Sequence, residues 1–99
     1  MGNDNIIKMD SKIVMNDKVI FSEMDGESII MNIERGEFYG INAIGNRIWN
    51  LLHKSMVVSD ICEQLQPDYD ITPEQCAKDV LLFLNKMAEK NVVKIINNE

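Results

Sequence analysis

The chain has 99 residues, 45% apolar and 26% charged, with 10 Lys and Arg against 16 Asp and Glu for a formal net charge of −6. One domain of this size buries roughly 65% of its unfolded surface, enough for one core and hardly for a deep substrate cleft besides, which weighs against an enzyme. A negative mean field with thinly spread Lys and Arg weighs against nucleic acid, whose phosphates are held by clustered cations.

The N-terminus, Met1-Gly2-Asn3-Asp4-Asn5-Ile6, lacks a basic start followed by an apolar stretch, and Ile6 stands where a myristoylation signal carries Ser or Thr. The expectation is a cytoplasmic protein. Beyond it, Ile13-Val14-Met15 and Val19-Ile20-Phe21 read as strands flanking Asn16-Asp17-Lys18, whose first two residues favour a turn. Asp25-Gly26 precedes the apolar run Ile29-Ile30-Met31-Asn32-Ile33, and Glu34-Arg35-Gly36 turns the chain into Glu37-Phe38-Tyr39-Gly40-Ile41. The last two strands are expected to form an antiparallel hairpin within a small meander.

From Asn42 the texture becomes helical. Asn42 is a good N-cap for a segment whose apolar positions Ile44, Ile48, Leu51 and Leu52 recur at helical spacing, flanked by Trp49 and fading near His53-Lys54-Ser55. Ser59 reads as the cap of a shorter helix through Ile61, Cys62 and Leu65, stapled by Val57 or Val58 and ended by Pro67-Asp68. Thr72-Pro73-Glu74-Gln75 is the sharpest local signal: Thr as N-cap, Pro at the first helical position, and Gln three residues on to complete a capping box. This third helix runs to about Lys90. Asn91 suits a left-handed ending, and Val92-Val93-Lys94-Ile95-Ile96 is extended, adding a short closing strand. The fold class expected is α+β: a three-stranded antiparallel sheet followed by three helices, the last two arranged as a winged helix-turn-helix, in a single domain over residues 1–99 with an ordered core from about 12 to 96.

No pattern here carries catalysis. A nucleophilic cysteine needs a base, and only His53 serves Cys62 or Cys76; its place at a helix end suits the helix dipole without any catalytic role. Two Cys and one His at these spacings build no closed metal site, so no metal or other cofactor is expected, and both cysteines read as reduced core thiols. The longest apolar run, Val80-Leu81-Leu82-Phe83-Leu84, falls far short of the roughly 20 residues that span a bilayer, so no membrane partner is expected. Acidic Glu23-Met24-Asp25-Gly26-Glu27 reads as a solvated turn. Met31 and Met87 read as core, with Met15 and Met24 undecided.

Two features instead point to binding. Cys76, Val80, Phe83, Leu84 and Met87 make a stripe that seats the third helix on the core, which leaves Leu82 on the other flank in line with Asp79 and Lys86. A meander that ends in a helix also leaves one long side of Glu37 to Ile41 unpaired, and open strand edges invite another strand. An extended peptide adds to such an edge by main-chain hydrogen bonds, with pockets against the Asp79-Leu82-Phe83-Lys86 face giving selectivity.

Gly36-x-Phe38-Tyr39-x-Ile41-Asn42, Gly45-x-x-Ile48-Trp49-x-Leu51-Leu52, Val58-x-x-Ile61-x-x-x-Leu65 and Asp79-Val80-x-x-Phe83-Leu84-x-x-Met87 with Val92-Val93 resemble, in their order and spacing, the PqqD-like family over about residues 12–96. Members are RiPP recognition elements, non-catalytic domains that bind the leader segment of a ribosomally made precursor peptide and present it to modifying enzymes. The resemblance implies the same sheet-then-helices fold and a leader docked as an antiparallel strand on the third strand, its side chains entering a groove against the third helix. By position this assigns Glu37, Phe38, Tyr39, Gly40 and Ile41 to the edge, and Asp79, Leu82, Phe83 and Lys86 to the groove. Asp79 stands at the family's helix acid and would pair with a basic or hydroxylated leader residue, while Phe83 doubles as core. As a free-standing chain, the protein most resembles the leader-binding proteins of lasso-peptide systems, whose partners are a precursor peptide, a cysteine-protease-like leader peptidase and an ATP-dependent cyclase. The alternative within the family is a PqqD-type chaperone for a radical-SAM enzyme, from which this chain departs in its longer front section.

Two readings from other classes compete. A winged-helix DNA regulator shares the geometry, yet the third helix sets Lys78, Lys86 and Lys90 against Glu74, Asp79 and Glu89, netting zero where DNA readers are basic. A structural subunit of a larger enzyme would dock through Trp49 or the Leu81-Leu82 pair. An open edge is also self-complementary, so a homodimer without peptide is a further possibility.

Overall fold

The structure, a computed structural model, describes residues 6–24, 27–52, 54–68 and 70–96. Four strands, β1 (Lys12–Met15), β2 (Val19–Met24), β3 (Glu27–Asn32) and β4 (Glu37–Ile41), precede α1 (Ala43–Leu51); β5 (Met56–Val57), α2 (Val58–Leu65), a single 3₁₀ turn (Gln66–Asp68), α3 (Pro73–Glu89) and β6 (Val93–Ile96) follow. The expected antiparallel meander is β2-β3-β4, and three helices follow it.

The first strand, however, does not join the meander. β1 is the middle of a second sheet of order β5-β1-β6, antiparallel to both neighbours, with Lys12 opposite Ile96 and Met15 opposite Val93. The turn after β1 forms as its residues predict, since Asn16 Oδ1 accepts from the Lys18 amide at 3.0 Å. Its partners decide where β1 goes. The Asn16 amide donates to the Val92 carbonyl at 2.8 Å and its Nδ2 to the Asn91 carbonyl at 2.7 Å, so the strand is tied to the exit of α3 rather than to β2. Turn chemistry states that the chain reverses; pairing is settled by which ladder buries Ile13, here fully enclosed.

Each helix start tests a local rule. Asn42 caps α1, its Oδ1 accepting from the Gly45 amide at 2.9 Å, and Thr72 caps α3, its Oγ1 accepting from the Gln75 amide at 3.1 Å. The capping box is left half made, because Gln75 Nε2 reaches forward to Asp79 Oδ1 at 2.8 Å. Ser59 is not a cap. α2 begins two residues earlier than a Ser59 cap would place it, at Val58, with extended Val57 at the cap position and no side-chain cap bond, because residues 56–57 are held as a strand against β1 and Val58 is drawn into the core. At the far end of α3, Asn91 takes the left-handed conformation (φ 60°) expected of it.

The core lies between the meander, the helices and the β1 sheet, and it includes Ile7, ahead of β1. Asn85 fixes that leading segment, accepting from the Ile7 amide at 2.8 Å and donating to its carbonyl at 3.2 Å. Trp49, 3% exposed, stacks on Phe21 with ring centroids 6.4 Å apart, so it is a core residue and no docking patch. Leu81 packs against the core as well, leaving Leu82 alone of that pair at the surface. Met87 is core as expected; Met31 is not, since its register with Ile20 and Phe38 sets it on the outer face of the meander.

Candidate functional site

β4 ends the meander. Among the described residues it is hydrogen-bonded to β3 alone, so its other long side offers unpaired main-chain groups. Strand alternation turns Tyr39 and Ile41 inward, where both pack against the core, and turns Phe38 outward, where it is 65% exposed. Glu37 lies beside Arg35 at 3.8 Å and accepts the Tyr39 hydroxyl, and that hydrogen bond holds the phenol above its usual pKa. Lys90 Nζ sits 4.7 Å from the centre of the Tyr39 ring, a cation–π contact joining the start of β4 to the end of α3.

Beside the other end of β4 opens a groove of about 460 Å³. One wall is Gly40, Ile41, Asn42 and Ile44; the other is Asp79, Leu82, Phe83, Lys86 and Met87 from α3. The α3 residues fall three and four apart, so they form one stripe along two turns of the helix. Leu82 is 67% exposed and lines the groove, so it is open to the groove rather than covered by the sheet. Phe83 is half-buried and serves both sides, lining the groove while its ring fills the space over Gly45, where a Cβ would stand 2.7 Å from Phe83 Cε1. Glycine at 45 is what lets α1 approach α3 this closely.

The direction of α3 relative to β4 follows from these contacts. Lys90 meets Tyr39, while Phe83, two turns earlier, meets Gly45 beyond the end of β4, so the helix runs antiparallel to the strand. Asp79 therefore marks the Ile41 end of the groove, and Lys86 lies back toward Glu37. Asp79 is half-buried and its Oδ1 is held by Gln75; Lys86 is exposed and makes no ion pair among the described residues.

Of the residues singled out from sequence, Gly40, Ile41, Asp79, Leu82, Phe83 and Lys86 come together in the groove. Glu37 and Tyr39 lie farther along the same edge, and the Phe38 side chain stands on the opposite face. Asn42, Ile44 and Met87 were missed. Met87 is one turn beyond Phe83, and Asn42 and Ile44 directly follow the strand, so extending both elements by one turn would have found them.

Among the described residues no catalytic constellation lines the groove. Cys62 and Cys76 are buried as free thiols facing each other across α2 and α3, and burial, followed by the neighbouring Cys76, pushes the Cys62 thiol up to about 11, away from a reactive thiolate. His53 lies outside the described residues. Among the described residues there is no cluster of metal-ligating side chains, and no helix is long and apolar enough to cross a membrane.

Comparison with known proteins places this geometry in a family. Residues 27–93, the span from β3 through α3 into β6, match the model of the family described as coenzyme PQQ synthesis protein D (PqqD). No curated protein matches the sequence significantly. Among solved structures, TbiB1 in complex with the TbiA(beta) leader peptide superposes with a TM-score of 0.76 at 24% identity, covering 86% of this chain and 99% of that one. A lasso peptide synthetase B1 complexed with its leader peptide gives 0.68 at 13% identity, over 82% and 95% of the two chains. The PqqD portion of Methylobacterium extorquens PqqCD, a stand-alone RiPP recognition element, gives 0.76 at 18% identity, over 89% and 94%. The three share the fold, and the family model covers most of the chain: this protein belongs to the PqqD family.

Proposed function

We propose that this protein is a non-catalytic, cytoplasmic RiPP recognition element that binds the leader segment of a ribosomally synthesised precursor peptide as an added antiparallel strand on β4 and delivers it to modifying enzymes. The observation that carries the reading is the open β4 edge lying directly beside the α3 groove. Two proteins of the same fold are leader-bound, one of them a lasso peptide synthetase B1, and this supports a leader peptidase and a cyclase as the enzymes served. Antiparallel addition continues the pattern already set by β2-β3-β4.

Energetics assign most of the affinity to the groove. Binding at about 1 μM requires roughly 8 kcal/mol. A few strand hydrogen bonds at about 1 kcal/mol each fall short of that, so buried leader side chains must supply the rest. Leu82 is the exposed apolar group they would cover. Leu82→Glu is expected to weaken leader binding tenfold or more while leaving the far-UV spectrum and the unfolding midpoint unchanged, because the side chain contributes little to the core.

The experiment is an NMR titration of the full chain with leader segments of short peptides encoded beside its gene. Saturable amide shifts concentrated on Glu37–Ile41 and on residues 79–86 are expected. Lack of binding by those leaders, together with salt-dependent binding to duplex DNA, would sink the adaptor reading in favour of a winged-helix regulator. A peptide-free dimer that dissociates on adding leader would mark the β4 edge as self-pairing.

A further inference from the structure

The groove carries opposite charges at its two ends with an apolar stretch between them, and this asymmetry has a direction. Asp79 stands at the Ile41 end and Lys86 toward Glu37, with Leu82 and Phe83 between. Each charge has capacity left. Asp79 uses Oδ1 for Gln75 and Oδ2 makes no hydrogen bond among the described residues, and Lys86 is unpaired among them. Glu37, farther along the β4 edge, is already engaged by Arg35 and by the Tyr39 hydroxyl, and Glu89, three residues on in α3, makes no ion pair with Lys86. Lys90 adds a second positive charge at that end, parked over the Tyr39 ring.

A strand added antiparallel to β4 starts at Ile41 and finishes at Glu37, so it runs parallel to α3 and passes Asp79 first. From this we infer that the groove reads charge order in the bound peptide: a basic residue, then an apolar one, then an acidic one, from N- to C-terminus. The inference rests on the leader-binding reading and deepens it by specifying the class of leader accepted. Spacing follows from the two rises. Seven residues of helix separate Asp79 from Lys86 by about 10.5 Å at 1.5 Å per residue. An extended peptide covers that in about three residues at roughly 3.4 Å each, and only every second side chain faces the groove. The pattern that fits is therefore basic, any, apolar, any, acidic, with the flexible Lys86 stem taking up the difference. The apolar residue at its centre covers Leu82 and Phe83.

Two sets of extended synthetic peptides of identical composition test this, one carrying Lys two residues before and Glu two residues after a central Leu, the other with Lys and Glu exchanged. Fluorescence polarisation against the full chain is expected to favour the Lys-first set by about fivefold to tenfold, as two partly exposed ion pairs allow. That preference is expected to shrink in high salt. The double variant Asp79→Lys, Lys86→Glu should invert it, and Lys86→Glu alone should abolish it, both with an unchanged unfolding midpoint. Equal binding of both sets, or a preference that survives the double variant, overturns the inference while leaving peptide binding intact. Failure of both sets where genuine leaders bind overturns the inference alone, whereas failure of both sets and of genuine leaders removes the leader-binding reading and the charge-order inference with it.

Discussion

Asn32 shows how much one residue decides. It sits in the apolar run at the end of β3 and is fully buried, with its polar atoms satisfied: Nδ2 donates to the Lys90 carbonyl at 3.1 Å and Oδ1 accepts from the Arg35 amide at 3.1 Å. The first bond ties the meander to the end of α3; the second shapes the turn into β4, whose Gly36 amide returns to the Asn32 carbonyl at 2.8 Å. Gly36 at φ 65° is the residue that lets the chain turn there. Asn32→Ala removes one partner from each bond and leaves a buried carbonyl and amide to be satisfied otherwise, so it is expected to lower unfolding free energy by about 1–3 kcal/mol in a urea titration. A loss below about 0.5 kcal/mol would show that water replaces the side chain. Sequence alone pointed to Met31 as the buried member of this run. Period-two alternation leaves two choices of face, and a buried Asn on the face of Ser28 and Ile30 masks the correct one, because hydropathy favours the face of Ile29, Met31 and Ile33.

At the scale of elements, legibility depended on whether a signal was local. The α3 start was readable because Thr72, Pro73 and the apolar stripe all lie within one segment, and the same holds for the β3–β4 hairpin and for the Asn91 ending. The groove was readable for that reason too: Leu82 is the apolar residue that the core stripe leaves over, and the β4 edge follows from a meander that stops. The α2 start was not. Its Ser59 fits every local rule for a cap, but residues 56–57 are recruited into the β1 sheet by a strand over forty positions away, and the helix starts at the residue after them. A pair of substitutions separates these cases. Thr72→Ala removes a formed cap bond and is expected to cost about 1 kcal/mol. Ser59→Ala removes none and is expected to stay within about 0.5 kcal/mol, as an ordinary exposed change does. Comparable losses for both, measured by thermal or urea denaturation, would show that Ser59 does cap α2.

The molecule as a whole is closed by its two ends. β1 pairs with β6 along its full length and with β5 for only two residues, so the last strand supplies most of the ladder that encloses Ile13. The candidate site sits on the other sheet. The two are joined through the exit of α3, where Asn16 and Asn32, one from each side, both bond the carbonyls of residues 90–91. This arrangement predicts a single cooperative unit. Ending the chain after Val92 removes buried Val93 and half-buried Ile95, a loss of about 1.5–3 kcal/mol for the valine alone against a total of about 5–15 kcal/mol for a domain of this length. Trp49 reports on the meander and its helices, because it lies in α1 and stacks on Phe21 of β2. If the sheets are coupled through residues 90–91, the truncated chain unfolds earlier by Trp49 fluorescence and by far-UV circular dichroism together, with coincident midpoints. A Trp49 transition left in place while the dichroism transition shifts would instead make the meander and its helices an independent unit, with the β1 sheet as an appendage to it.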